Sequence, residues 1–311
     1  MTKILIGYDG SAGADAILED LSHAGLPAEL DAILMSVADV WLPPDSALLE
    51  PGFPEKIPPA VQAARKRARH ELEAARALAE GACRRLRDLH PKWRLQAQAC
   101  GDSPGWALVK KADAERADLV VVGSQGHSAL ERFFLGSVSQ KVAAEANCSV
   151  RIARPRLRAK HTSLRLLVAL EGSEDSDRAV QAVLARTWPD STAVRVAAVI
   201  DPRLESALAW CESLSPRWFQ EQDHGMREGV CRMLEHWSKR LAEAGFQAET
   251  VVHEGDPKRE ILGTALAWEA DAVFLGARGL QHGGRLTLGT VVAAVAARAH
   301  CTVEIVRTQE T

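Results

Sequence analysis

The sequence predicts an α/β fold built twice: two parallel, doubly wound sheets with helices on both faces, one in each half of a 311-residue chain. Three observations predict it. Short apolar runs alternate with segments of helical periodicity. The pattern of the first half returns in the second, as a duplication requires. Each half also carries a glycine-rich stretch directly after an apolar run. GSQGHSALERFFLGS, residues 123–137, follows Leu119, Val120, Val121 and Val122, and GARGLQHGGRLTLGT, residues 276–290, follows Ala272, Val273, Phe274 and Leu275.

In chain order, residues 3–9 (KILIGYD) form a short apolar run ending in a carboxylate, and Gly10 and Ser11 lead into a helix carrying Ala16, Ile17 and Leu21. Residues 32–37 (AILMSV) are a second strand, and their unbroken apolarity fits burial on both faces of a parallel sheet. A proline-rich insertion covers residues 41–59. From residue 61 to 89 a long helix is expected, with Leu72, Ala75, Leu78, Ala82, Leu86 and Leu89 on its buried face and arginines on a solvated one. Residues 95–99 are the third strand; Ser103 is placed to cap the next helix, with Pro104 at its first position and Trp106, Val109 and Ala112 along its inner side. The fourth strand spans 117–122. A helix carrying Val138, Val142 and Ala146 follows the glycine stretch, and residues 148–152 close the half.

Residues 154–163 (RPRLRAKHTS) read as a solvated linker, which bounds the domains at 1–155 and 162–308. The second half replays the first. It has strands at 166–171, 194–200 and 248–253 and a helix with Met226, Val230, Met233, Trp237 and Leu241. Residues 201–225 form an insertion holding Trp210, Trp218 and Phe219, read as core or interface packing.

Composition excludes several classes. A formal charge of -3, with 47% apolar and 25% charged residues, gives no electrostatic case for nucleic acid or an anionic membrane. No stretch reaches membrane-spanning length and the N-terminus lacks the character of a signal peptide, so a cytoplasmic location is expected. The six cysteines have no metal-ligand spacing; Cys148 and Cys301, equivalent in the two halves, are expected to be buried packing residues.

Two residues separate Gly123 from Gly126 and nine separate Gly126 from Gly136, which Ser137 follows; Gly276, Gly279, Gly289 and Thr290 repeat that spacing. Gly123 and Gly126 are free to take positive φ and to bring backbone amides close to a ligand. Gly136 and Ser137 open a helix, whose unpaired N–H groups and dipole suit phosphate oxygens. The plainer reading is a strand-to-helix turn with Ser137 as cap. In an open α/β sheet the ligand crevice lies where strand order reverses. With the first and fourth strands adjacent there, Asp9 becomes an acceptor for ribose hydroxyls or an adenine amine, and Val37 supplies an apolar wall. A turn role for Asp9 ahead of Gly10 is the alternative.

KILIGYDGS, the GDSP turn, DLVVVGSQG and the glycine spacing through Ser137 together resemble the universal stress proteins, over nearly the whole chain and twice. The resemblance implies two flavodoxin-like (adenine nucleotide alpha hydrolase-like) domains of strand order 3-2-1-4-5. It also implies ATP held at Asp9, Val37, Gly123, Gly126, Gly136 and Ser137. The matching positions in the second half are Glu171, Val199, Gly276, Gly279, Gly289 and Thr290. Glu171 is one methylene longer than Asp9, which weakens the case for adenine or ribose recognition there and leaves phosphate binding open. Mg²⁺ is expected only through phosphates and water. Single-domain relatives resemble dimers joined by the last strand, so residues 149–152 and 302–306 are expected to dock in an internal pseudo-dimer through Val150, Ile152, Val303 and Ile305; a further homodimer is left open.

There is no GxxxxGK[ST] loop, no GxGxxG after the first strand, and no GxSxG or HExxH motif. The repeat counterpart of His127 is Leu280, so no catalytic role is assigned to it, and no metal ligand is assigned; Arg132 and Arg285, equivalent in the two loops, are read as solvated. Binding is favoured over two rivals: slow ATP hydrolysis or nucleotidyl transfer, and a scaffold with neither site filled.

Overall fold

The computed structural model describes residues 1–40, 59–126, 135–156, 163–203, 226–279 and 288–307. Most of both insertions, with Trp210, Trp218 and Phe219, lies outside the described residues, as do His127, Arg132, Leu280 and Arg285. The first half runs β1 (Lys3–Gly7), α1 (Ala12–Leu21), β2 (Asp31–Ala38), α2 (Pro59–Leu89), β3 (Arg94–Gly101), α3 (Pro104–Glu115), β4 (Leu119–Gly123), α4 (Ser137–Glu145) and β5 (Ser149–Ala153). The second runs β6 (Arg165–Leu170), α5 (Glu174–Leu184), β7 (Ala193–Ile200), α6 (Met226–Glu243), β8 (Gln247–Glu254), α7 (Pro257–Ala267), β9 (Ala272–Gly276), α8 (Thr290–Arg298) and β10 (Thr302–Val306).

All ten strands join one sheet in the order β3-β2-β1-β4-β5-β10-β9-β6-β7-β8. Each half therefore has the expected 3-2-1-4-5 order, and the order reverses between β1 and β4, and between β6 and β9. Pairing is parallel within each half, while β5 and β10 meet antiparallel, with Val303 opposite Ile152, Glu304 opposite Arg151 and Ile305 opposite Val150.

Because side chains alternate across a strand, this seam has two different faces. On one, Val150, Ile152, Val303 and Ile305 are fully buried in a core that continues from one half into the other, covered by α3, α4, α7 and α8. On the opposite face each half keeps its own apolar core, under α1 and α2 in the first and under α5 and α6 in the second. Between those two cores lies an ionic quartet. Arg151, 1% exposed, pairs with Asp20 at 2.6 Å and with the fully buried Glu304 at 2.8 Å, and Arg186 also pairs with Glu304. Arg151 and Glu304 are buried and Asp20 and Arg186 nearly so, and their pairing offsets part of the cost of desolvating the two inner charges.

Four expectations need correcting. The stretch after β5 does not begin as a solvated linker: Arg154 is buried and donates to the carbonyls of Ala296 and Cys301, and Arg156 pairs with Asp271 at 2.6 Å. Its repeat counterpart Arg307 reaches across the other way to the Ala143 carbonyl. The buried stripe of α2 is Ala68, Ala75, Ala79, Ala82, Cys83 and Leu86, leaving Leu78 40% and Leu89 52% exposed. Small residues make up most of the stripe that faces the sheet, and the two leucines lie off it, Leu78 over the turn at Gly10. Trp106, 45% exposed, lies outside the core and carries the Lys141 ammonium over its ring at 3.7 Å. In α6, Leu234 joins Val230, Trp237 and Leu241 in the core where Met233 is only partly buried. Cys148 and Cys301 are buried as expected, and burial pushes both thiols up to about 12.

Candidate functional site

At the carboxyl end of β1 the chain must turn at once into α1. Gly10 makes that turn with φ +76°, a conformation that favours glycine, under the side chain of Leu78 from α2. Asp9 folds back on the turn, its Oδ1 accepting from the Ser11 backbone N–H at 3.0 Å, and the Ser11 hydroxyl in turn accepts from the N–H of Ala14 to cap α1. Asp9 is thus both a turn residue and an exposed carboxylate at the crevice. Tyr8 fixes the same turn from beneath: its hydroxyl donates to Asp15 at 2.6 Å and receives Arg85 of α2. Burial first, then that bond to Asp15, pushes the phenol up to about 12.

The adjacent strand β4 ends at Gly123, and the loop beyond it lies on the first turn of α1. A Cβ on Gly123 would lie 2.7 Å from the Gly13 carbonyl oxygen, and one on Gly126 would lie 2.7 Å from Asp9 Oδ2. Neither glycine takes positive φ. This corrects the expected reason for them: they are required by close approach of backbone and carboxylate, not by a left-handed conformation. Gly136 is the N-cap of α4 with φ -63°, and it makes no side-chain cap bond; its N–H donates to the Ser124 carbonyl at 2.8 Å, closing the loop. Ser137 is therefore the first helical residue, exposed, and not the cap. Val37 sits in β2, half-buried against the core on the α3 side. The fold brings Asp9, Gly123, Gly126 and Gly136 into one crevice where strand order reverses, with Ser137 at its helical edge. Residues 127–134 lie outside the described residues.

The second crevice copies that backbone. The Gly289 N–H donates to the Ala277 carbonyl at 3.1 Å, Gly276 ends β9 against α5, Thr290 opens α8 and Val199 is partly buried in β7. Glu171 takes the place of Asp9, and a Cβ on Gly279 would lie 2.7 Å from its Oε2.

Two contributors escaped the sequence reading. Ser139, buried in α4, donates its hydroxyl to the Gly123 carbonyl, with Val292 at the equivalent place in α8. Gly13 lets the loop rest on α1, since a Cβ there would lie 2.1 Å from the Gln125 carbonyl oxygen. Ser139 was legible only as one polar residue in an amphipathic helix, and Gly13 only as a helix glycine. Among the described residues, no group of three or more His, Cys, Asp or Glu side chains could hold a metal, and no helix is long and apolar enough to cross a membrane.

A doubly wound sheet whose switch-point crevice is floored by a glycine loop, present twice and fused edge to edge, defines a tandem α/β protein of the flavodoxin-like kind. The model of the universal stress protein family matches residues 1–154 and again 163–307, and the chain belongs to that family. Its curated relatives are similar to one half of it. A universal stress protein of Thermus aquaticus is 33% identical over 151 residues, 49% of this chain and 97% of the relative, and one of Methanocaldococcus jannaschii is 28% identical over 155 residues, 49% of this chain and 81% of the relative. Among solved structures, a universal stress protein of Archaeoglobus fulgidus matches 99% of this chain and 98% of its own at a TM-score of 0.64 and 18% identity, a likeness of fold.

Proposed function

We propose that this chain binds an adenine nucleotide, ATP by the reading of its motifs, and acts in the cytoplasm in the stress response as a nucleotide-binding regulator and not as a turnover enzyme. The observation that carries the reading is the approach of Asp9 to Gly126. It places an acceptor suited to ribose hydroxyls or an adenine amine directly beside a glycine loop, at the point where α/β sheets take their ligands. Phosphates would lie along the loop toward Gly136 and Ser137, where the first N–H groups of α4 and its positive dipole end favour anions. Val37 would border the base. Magnesium would be held by the phosphates and water.

The same residues support binding over turnover. Asp9 is engaged in its own turn, and among the described residues no nucleophile paired with a base stands in the crevice. Denaturing the protein as purified and chromatographing what is released tests the reading directly. Co-purified adenine nucleotide, or calorimetric binding of added ATP with 1–2 sites per chain and no steady-state phosphate release, is the expected result; no binding at millimolar ATP would refute it.

A further inference from the structure

The two crevices share a backbone but differ in the side chains that press on it. Where α1 has Gly13, α5 has Asp175. Its carboxylate, only 8% exposed, accepts from the Arg278 backbone N–H at 3.2 Å and Nε at 3.0 Å, and from Arg178 Nη1 at 3.0 Å. Arg278 is the loop counterpart of Gln125. In the first half the loop lies on bare helix backbone; in the second an internal anion stands between helix and loop and takes a loop amide for itself.

Glu171 acts on the same loop from the other side. Its Oε2, Oε1 and Cδ lie 2.7, 3.1 and 3.2 Å from where a Cβ on Gly279 would be, while Asp9 reaches the Gly126 position with Oδ2 alone, its Cγ 4.0 Å away. The added methylene lays the whole carboxylate across the glycine, and the Ser173 hydroxyl donates to it at 2.9 Å. A polyphosphate entering the second crevice meets the Glu171 carboxylate laid across the loop glycine, and a loop amide already taken by Asp175, whose own charge is offset by Arg178 and Arg278. The Glu171 charge on the glycine, with a loop donor spent, discriminates against such a ligand.

We infer that the nucleotide occupies the first half alone: Glu171 and Asp175 close the second crevice with the chain's own carboxylates, so that each chain takes one nucleotide. This rests on the nucleotide-binding reading above. The test is equilibrium dialysis of the full chain against radiolabelled ATP, together with photolabelling of the unmutated protein by 8-azido-ATP and peptide mapping. One nucleotide per chain, with label confined to residues 1–156, is expected. Gly126→Val, checked for folding by circular dichroism, should reduce bound ATP from one per chain to none. Two nucleotides per chain, label in residues 163–311, or one nucleotide still bound by folded Gly126→Val would overturn the inference while leaving nucleotide binding intact. Failure of the native chain to bind at all would instead remove the nucleotide reading, and this inference with it.

Discussion

The first and second glycine loops close with matching backbone bonds, Gly136 to Ser124 in one and Gly289 to Ala277 in the other. Yet the turn facing the first loop presents Asp9 and Gly13, and the turn facing the second presents Glu171 and Asp175. Duplication has kept what the backbone needs, glycine where a Cβ cannot fit, and has let the facing side chains diverge. Spacing is therefore a guide to the shape of a site. What the site accepts is decided by residues outside the spaced motif.

One continuous sheet makes the two halves parts of one frame, and the largest expected effect tests that frame. Glu304→Leu leaves Arg151 and Arg186 facing no carboxylate of the second half, and removing one partner of a buried pair costs about 3–5 kcal/mol. Urea unfolding should show that loss; a change below about 1 kcal/mol would mean the quartet is not coupling the halves. Acid probes the same group without mutation. Burial alone would raise the Glu304 carboxyl, but Arg186 and Arg151 more than offset it and hold it below its ordinary 4.5. A depressed folded value means the contribution is complete above that ordinary value and is lost as pH falls through the lower one. Stability measured downward from pH 5 should therefore fall in wild type, and the Glu304→Leu variant should lack that component of the fall.

A middle-sized effect separates the two crevices. Asp9→Ala should weaken ATP by about 1–3 kcal/mol, the scale of a lost charge-assisted hydrogen bond, and Glu171→Ala should not weaken it. A calorimetric titration with the reverse ranking would place the working site in the second half. The smallest effect concerns the loop's support. Ser139→Ala removes the donor to the partly buried Gly123 carbonyl and should cost about 0.5–1.5 kcal/mol of stability. Val292→Ala in the other half removes no such bond, so the two should differ in how ATP affinity responds, with only Ser139→Ala lowering it.

Much of the fold was legible because apolar runs and glycine spacing are local signals. The strand order, the docking of β5 on β10 and the burial of Val150, Ile152, Val303 and Ile305 all agree with that reading. The ionic quartet was not anticipated, although SVRIA and TVEIV each carry one charge at the same place, with opposite sign. A lone charge in a strand is ordinarily solvent-facing, and only the partner strand, far away in sequence, reveals that it is buried. Arg154 was misjudged for the same reason: its acceptors are the carbonyls of Ala296 and Cys301, in the other half. Ser139, Gly13 and Asp175 act through contacts across the crevice that no periodicity encodes.

The position of β10 has a consequence for the chain during its own synthesis. Glu304 follows Arg151 by 153 residues, so at about 5–20 residues per second β5 waits roughly 8–30 s for its neighbour. Through that interval the first half has an open strand edge, the kind of surface on which nascent chains aggregate. Arg151 places a positive charge in the middle of that edge, and two copies meeting there would set arginine against arginine. Until its own last strand arrives, the residue that later joins the halves, held by Asp20 of its own half, stands where a like charge would oppose pairing with a second copy.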